Sequence, residues 1–453
     1  TYMKIIIIDD DPTGSQTVNG CNLILRWDYE TLLKGLKDSS NLLFILANTR
    51  SLSKKDVRIR LKEICSALRE IMNHSSFAEE DFVLISRGDS TLRGHNFIEP
   101  YIINELLGPF DATFYIPAFI EGNRTTVNGN HFVDNIPIHK TIFSKDKIFG
   151  FNTSNIKELI YEQSNYQLDF NNVENIFIKD FEVLETNQPS KLFMHIEKLK
   201  NNKKVIVDIM DYSQLDKFSN IVKSLLKKKK FLFRSAASFI SSLSNVKQIQ
   251  KDHIYFSQLR RKNNNDEAMK GLIVVGSHVE LSTLQLNKVL DISLCQPVEI
   301  NVFKLYEFFK LGDNLNQINS LKELILNSIR QNLSRESIPV LYTSREIISP
   351  TNENDLIHFQ LFLSAFIAKI VSAVKNEIGY LISKGGITTN AIISEGLKAD
   401  SVYLEGQILP GISLVTFNLL KQKGKLPIVT FPGNMGNQMS LVQALEILEN
   451  KNF

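Results

Sequence analysis

Three carboxylates stand side by side at Asp9, Asp10 and Asp11, after the run Ile5-Ile6-Ile7-Ile8 and before Pro12-Thr13-Gly14-Ser15-Gln16-Thr17. Adjacent acids repel one another, so a cation, a metal ion, a basic partner or a substrate hydroxyl has to compensate them. Asp-Pro-Thr-Gly is also good turn and helix-capping chemistry, but a cap needs fewer acids than this stretch supplies. A second polar cluster, Ser86-Arg87-Gly88-Asp89-Ser90-Thr91-Leu92-Arg93-Gly94-His95, follows the apolar run 82–85. Arginine forks match carboxylates bidentately, and Asp and Ser pair with sugar hydroxyls, so the cluster suits a small polyhydroxylated anion. The plainer reading is that Asp89, Ser90 and Thr91 only cap a helix. A third loop, 117–129, adds Arg124 with hydroxyls and amides that could complete the same pocket or form an ordinary polar loop.

The second half carries a different chemistry. Val274-Val275-Gly276-Ser277, Ile382-Ser383-Lys384-Gly385-Gly386-Ile387-Thr388-Thr389 and Val429-Thr430-Phe431-Pro432-Gly433-Asn434-Met435-Gly436 each lead from an apolar strand into a glycine turn. Glycine lets a backbone approach a ligand closely, and the free amides at a helix start bind phosphate. One such turn says little; three in one domain suggest a nucleotide pocket. None is a GxxxxGK[ST] loop or a protein-kinase glycine-rich strand, so no generic motif assigns ATP. Cys21, Cys65 and Cys295 are dispersed without a CxxC pair, and the histidines show no HxH or HExxH spacing. This argues against a cysteine- or histidine-based metal site and for a reducing compartment.

These clusters need strands to carry them. Apolar segments at 4–9, 41–48, 81–86, 112–117, 175–179, 204–209 and 231–234 alternate with amphipathic stretches such as 54–74. In that stretch Val57, Leu61, Ile64, Leu68 and Ile71 recur at helical spacing. The rhythm is that of βαβ units in a mostly parallel sheet, whose ligands bind outside the carboxyl ends of the strands. A polar stretch then precedes a second set of strands at 271–276, 297–301, 339–343, 379–383, 401–404 and 427–431, with a long apolar helix at 356–378. The expected fold class is α/β, with two α/β domains each built on a mostly parallel sheet. The domains are placed at 1–250 and 271–453, with a linker at 251–270. A net charge of +3 on 453 residues gives no reason to expect a nucleic-acid surface. No apolar run reaches membrane-span length and the opening does not resemble a signal peptide, so a cytoplasmic protein with no membrane partner is expected.

Taken together, these segments resemble the four-carbon acid sugar kinase family (DUF1537), which includes threonate, erythronate and 3-oxo-tetronate kinases. Residues 10–18 resemble its opening motif, 86–95 its DSTLRGH motif, and 117–129 and 234–239 further segments. The turns at 276–277, 384–388, 409–411 and 431–436 match in the same order. The resemblance implies an N-terminal domain that binds the sugar acid, a C-terminal domain that binds ATP, and an active site in the cleft between them. It places Ser277, Gly385, Gly386, Ile387, Thr388 and Gly433 on nucleotide positions. On the same reading Arg87 and Arg93 hold the substrate carboxylate and Asp89 and Ser90 fix its hydroxyls. Thr13 and Arg124 complete that pocket, and Asp10 or Asp11 accepts the proton of the attacking hydroxyl. The implied reaction is ATP-dependent phosphorylation of a small sugar acid, with Mg2+ bridging the phosphates. The metal ligands, the choice between the two acids, and whether the chain forms a homo-oligomer are not legible.

Two segments, Thr389-Asn390-Ala391 and Pro410-Gly411-Ile412-Ser413, depart from the family's usual pattern. One rival is a haloacid-dehalogenase-type phosphatase using Asp9, Asp11 and Thr13. It lacks a convincing lysine and paired-acid motif, Asp208 and Asp211 being nearest, and leaves the C-terminal glycine turns unexplained. The other rival is a degenerate, non-catalytic protein that binds a sugar acid or a nucleotide.

Overall fold

The computed structural model describes residues 3–11, 17–74, 76–77, 82–182, 190–246, 250–312, 314–346, 348, 353–420, 424–433 and 435–453. They form two compact units, Thr1–Gln248 and Ile249–Phe453.

In chain order the strands of the first unit are β1 (Lys4–Asp9), β2 (Cys21–Ile24), β3 (Leu42–Leu46), β4 (Phe82–Arg87), β5 (Ala112–Ile116), β6 (Arg124–Val127), β7 (Asn130–Val133), β8 (Ile136–Pro137), β9 (Val173–Ile176), β10 (Lys203–Val207) and β11 (Phe231–Ser235). β6, β7 and β8 make a small antiparallel sheet. The others run parallel in the order β2-β3-β1-β4-β11-β5-β10-β9. Ile5 to Ile8 of β1 are buried on both faces, as a central strand covered by helices on both sides requires. The helix Lys54–His74 buries Val57, Leu61, Ile64, Leu68 and Ile71 in one cluster with Ile6, Ile8, Leu43 and Ile45. Burying side chains of this kind contributes on the order of 10 kcal/mol before conformational entropy is subtracted. Because the strands are parallel and in register, with Asp9 opposite Arg87 and Ser235 opposite both Arg87 and Ile116, their polar ends collect along one sheet edge.

The second unit contains β12 (Leu272–Val275), β13 (Cys295–Ile300), β14 (Ile338–Thr343), β15 (Leu381–Lys384), β16 (Ser401–Leu409), β17 (Ile412–Asn418) and β18 (Lys425–Phe431). Their order is β13-β14-β12-β15-β18-β17-β16, parallel as far as β18 and antiparallel beyond it. The helix Glu353–Val374 is apolar enough over Asp355–Val374 to cross a membrane by length and composition. It buries Phe359, Phe366, Ile367, Ile370, Val371 and Val374 instead.

Several elements differ from the sequence expectation. The loop at 117–129 continues into the hairpin β6–β7, turned by Asn128 and Gly129 at φ 51° and 73°, the left-handed pair that a tight hairpin needs. Pro410-Gly411 closes a second unpredicted hairpin, β16–β17, with Gly411 at φ 75°. β2 is only four residues long and was not expected. β9 begins before the expected 175–179, whose end is the short helix Ile178–Phe181. The segment 251–270 is not a linker. Its helix His253–Gln258 drives Phe256 into the second core. Arg260 pairs with Glu449 at 3.1 Å, and Arg261 donates to the Ile378 carbonyl at 2.7 Å. Its polar composition reflects these staples and a solvated face.

Candidate functional site

At the polar edge of the first unit, the three acids have different fates. Asp9 is fully buried and accepts from Arg87 Nη1 at 2.7 Å. Burial, with help from Asp10 and Asp11, pushes its carboxyl up against the pull of Arg87. Asp10 is also fully buried and is clasped by Arg50 Nη2 at 2.7 Å and Nε at 3.2 Å. Asp11 meets Arg50 Nη1 at 3.2 Å, and its side chain remains 28% exposed. Arg50 reaches this position from the 3-10 turn Thr49–Ser51 after β3, where Asn48 adopts φ 52°. Burial alone would pull Arg50 down, but Asp10, Asp89 and Asp11 outweigh it and hold the guanidinium well above its ordinary value.

Arg234, at the end of β11, completes the framework. It donates to Ser86 Oγ at 2.9 Å, to Glu99 Oε2 at 3.1 Å and to Asn96 Oδ1 at 3.2 Å, and its Nη2 stands 3.8 Å from Asp10. Glu99 also accepts from Thr49 Oγ1, and burial pushes its carboxyl up against the pull of Arg234. Two glycines are required by this crowding. A Cβ on Gly88 would lie 2.6 Å from the Arg234 guanidinium, and one on Gly94, at φ 107°, would lie 3.0 Å from Asp10 Oδ2.

The next cluster is more open. Arg93 donates through Nε to Asp89 Oδ2 at 2.7 Å and lies over the Phe143 ring, with its side chain 31% exposed. Burial would raise the Asp89 carboxyl, but Arg50, Arg93 and Thr91 outweigh it and hold it below the ordinary value. The Ser90 carbonyl is 2.6 Å from His131 Nε2, and Thr126 Oγ1 is 3.0 Å from His131 Nδ1. Burial brings His131 down to about 4, so it is neutral and structural at neutral pH. Arg124 stacks on Phe119, and among the described residues its buried Nε has no hydrogen-bond partner. His95 is spent on the Leu52 carbonyl at 2.9 Å. Thr13 lies outside the described residues.

In the second unit the three glycine turns follow β12, β15 and β18, which are adjacent in the sheet. They converge on one cavity of about 590 Å³, lined by Ser277, Gly385, Gly386, Ile387, Thr388 and Gly433. Its other wall is apolar, with Leu356, Phe359, Leu363 and Ile367 from the helix Glu353–Val374. The turns touch one another. A Cβ on Gly276 would lie 2.0 Å from Thr388 Oγ1, one on Gly433 2.9 Å from Ser277 Oγ, and one on Gly385, at φ 112°, 3.2 Å from the Ser277 amide. Ser282 binds Ser277 Oγ at 2.9 Å and the Gly433 carbonyl at 3.0 Å, tying the first turn to the third. Gln285 holds the Met435 and Asn437 carbonyls. A cavity with a close backbone cradle at one side and an apolar slot at the other has the shape of a nucleotide site. Thr389, in the segment that departs from the family pattern, is buried against Ser383 Oγ at 2.8 Å.

All six residues expected on nucleotide positions therefore share one cavity. Of the sugar-acid set, Asp89, Ser90, Arg93 and Arg124 gather in one region. Arg87 turns inward onto Asp9, and Asp10 has no exposed surface. Arg50, Glu99 and Asn96 were not anticipated, and Arg234 appeared only within a family segment. Among the described residues no group of His, Cys, Asp and Glu is arranged to hold a metal ion.

A family model described as a sugar-binding N-terminal domain matches residues 5–243, and another described as a nucleotide-binding C-terminal domain matches residues 272–441. The chain is 21% identical to the D-erythronate kinase of Heliobacterium modesticaldum, over 99% of this chain and 98% of that protein. Among solved structures it resembles a Haemophilus influenzae DUF1537 protein, with a TM-score of 0.64, 16% identity and coverage of 98% of this chain and 100% of that one. It also resembles a Salmonella typhimurium protein, with a TM-score of 0.68, 14% identity and coverage of 97% and 98%. These two likenesses bear on the fold alone. The chain belongs to the four-carbon acid sugar kinase family, with a sugar-binding N-terminal domain followed by a nucleotide-binding C-terminal domain.

Proposed function

We propose that this protein is an ATP-dependent kinase that phosphorylates a hydroxyl of a four-carbon sugar acid of the threonate, erythronate or 3-oxo-tetronate type. The observation that carries the proposal is the convergence of three glycine turns on one cavity, in a chain whose other unit gathers guanidinium and carboxylate groups. The relative named D-erythronate kinase supports the substrate class.

ATP would supply the transferred phosphoryl group, and Mg2+ would arrive on its phosphates, consistent with its habit of binding through phosphates and one or two carboxylates. Positioning and charge neutralisation then do most of the work. Arg124, which is half-buried, and Arg93, with its partly exposed fork, receive the sugar carboxylate. Asp89 and Ser90 orient the hydroxyls. Asp11 accepts the proton, because it is the one acid of the three that keeps an exposed side chain. Arg50 holds Asp11 in place through the same guanidinium that fixes Asp10. Arg87 and Asp10 belong to the framework that positions these groups. The phosphatase alternative fails on Asp9. A nucleophile must be reached by phosphate, and Asp9 is buried against Arg87.

Coupled detection of ADP, with the full chain, ATP, Mg2+ and a panel of four- to six-carbon sugar acids, tests the proposal. Release that depends on one acid is expected. ATP hydrolysis that is indifferent to every acid would reject it.

A further inference from the structure

Lys384, the last residue of β15, is fully buried. Its Nζ donates to the Pro432 carbonyl at 2.7 Å and stands 4.0 Å from the centre of the Phe431 ring. Among the described residues no charged group acts on it from the surrounding elements. Arg345, after β14, is engaged with the Ser277 carbonyl, and His278, after β12, with Thr343. Glu405 of β16 serves Tyr255 and Thr416. His358 and Lys369, on the helix Glu353–Val374, and Glu395 are exposed. A buried ammonium facing only a carbonyl and a ring is undercompensated, since a buried charge is normally paired. Gly385, next in the chain to Lys384 itself, and Gly433, next to Pro432, both line the cavity described above.

We infer that a phosphate group bound in this cavity is the counter-ion that Lys384 lacks, so that its amine takes up one proton from solvent when the nucleotide binds and returns it on release. This rests on the nucleotide reading of the cavity. Geometry gives Lys384 a positioning role as well, because its bond to Pro432 ties the second glycine turn to the third. Burial brings the free ammonium down to about 7, and a neighbouring phosphate would restore it toward its ordinary 10.5. Below about pH 7 the amine is already charged and binding is insensitive to pH. Above it, each unit of pH should weaken binding roughly tenfold, because a proton must be acquired.

The test is calorimetric titration of the full chain with ADP at about pH 8, where the terminal phosphate is already fully ionised, in buffers of different ionisation enthalpy. Uptake of about one proton per ADP is expected in the wild type. Lys384→Met should bind without that uptake, as should Lys384→Arg, whose charge is permanent. Wild-type binding without proton uptake, or uptake that persists in both variants, overturns the inference. If neither variant folds, the wild-type affinity measured from about pH 6 to pH 9 decides, and a flat series overturns it. Absence of any ADP binding by the wild type rejects the nucleotide reading and this inference with it.

Discussion

Replacing Arg234 by methionine removes a guanidinium on which Ser86, Asn96, Glu99 and Asp10 all converge. Each of these neighbours is 5% exposed or less, so water cannot substitute for the lost donor. Methionine fills most of the space but supplies no charge. Asp10 keeps Arg50, whereas among the described residues Glu99 keeps only the Thr49 hydroxyl. Breaking a buried pair by removing one partner costs about 3–5 kcal/mol, against roughly 5–15 kcal/mol for a whole domain. With a urea slope of about 2 kcal/mol per molar, the unfolding midpoint should fall by roughly 2 M. Trp27 is the only tryptophan and packs on the first core, so its fluorescence reads this unit specifically.

Adding Glu99→Gln to Arg234→Met should recover about 1–3 kcal/mol, because an amide does not need the guanidinium. The effect also has a definite pH sign. Glu99 is held above its ordinary value, so the folded chain binds more protons than the unfolded one. That contribution is fully present below the ordinary glutamate range and is lost as pH rises through the folded value. Without Arg234 the folded value climbs further, so the deficit of the single variant should shrink in acid and grow toward alkaline pH. A midpoint shift below about 0.5 M, or a double variant no more stable than Arg234→Met, would refute the role given to this network.

The remaining predictions concern the two sites. Gly276→Ala puts a methyl 2.0 Å from Thr388 Oγ1, so the second turn must move. ADP affinity by calorimetry should fall at least about tenfold, with the Trp27 unfolding transition unchanged. Asp11→Asn should lower kcat by about 10²–10⁴-fold with ADP affinity intact, as expected for loss of a general base; equal losses in both would reassign Asp11 to folding. Lys384 is depressed to about 7 in the folded chain against an ordinary 10.5. The unfolded chain therefore binds more protons across that window, and thermal melts should show the second unit gaining stability as pH rises from about 7 to about 10. Lys384→Met should flatten that slope.

The glycine turns were legible because strand, glycine and hydroxyl are contiguous in sequence. Their sharing of one pocket was expected from their number, but the sheet order that brings it about, with β12, β15 and β18 as neighbours, was not. Arg50 illustrates the other limit. It stands in an unremarkable Asn-Thr-Arg-Ser turn, and only the pairing of β3 with β1 brings it onto Asp10 and Asp11. Three identical acids gave no basis for choosing a base. Packing separated them, by burying Asp9 and Asp10 under arginines and leaving Asp11 partly open. The hairpin β6–β7 was readable from Asn128-Gly129 but was obscured by the polar residues around it. The stretch 251–270 misled because half-buried arginines count as polar in sequence while stapling the chain to the second core.

In the proposed reaction a phosphoryl group passes from ATP to a four-carbon sugar acid. Phosphorus NMR of the full chain with ATP, Mg2+ and D-erythronate, L-threonate or a 3-oxo-tetronate tests it most directly. A new phosphomonoester resonance that grows with ADP is expected in the presence of one of these acids and not in Asp11→Asn. Growth of inorganic phosphate alone, or an unchanged spectrum with every acid, would contradict it.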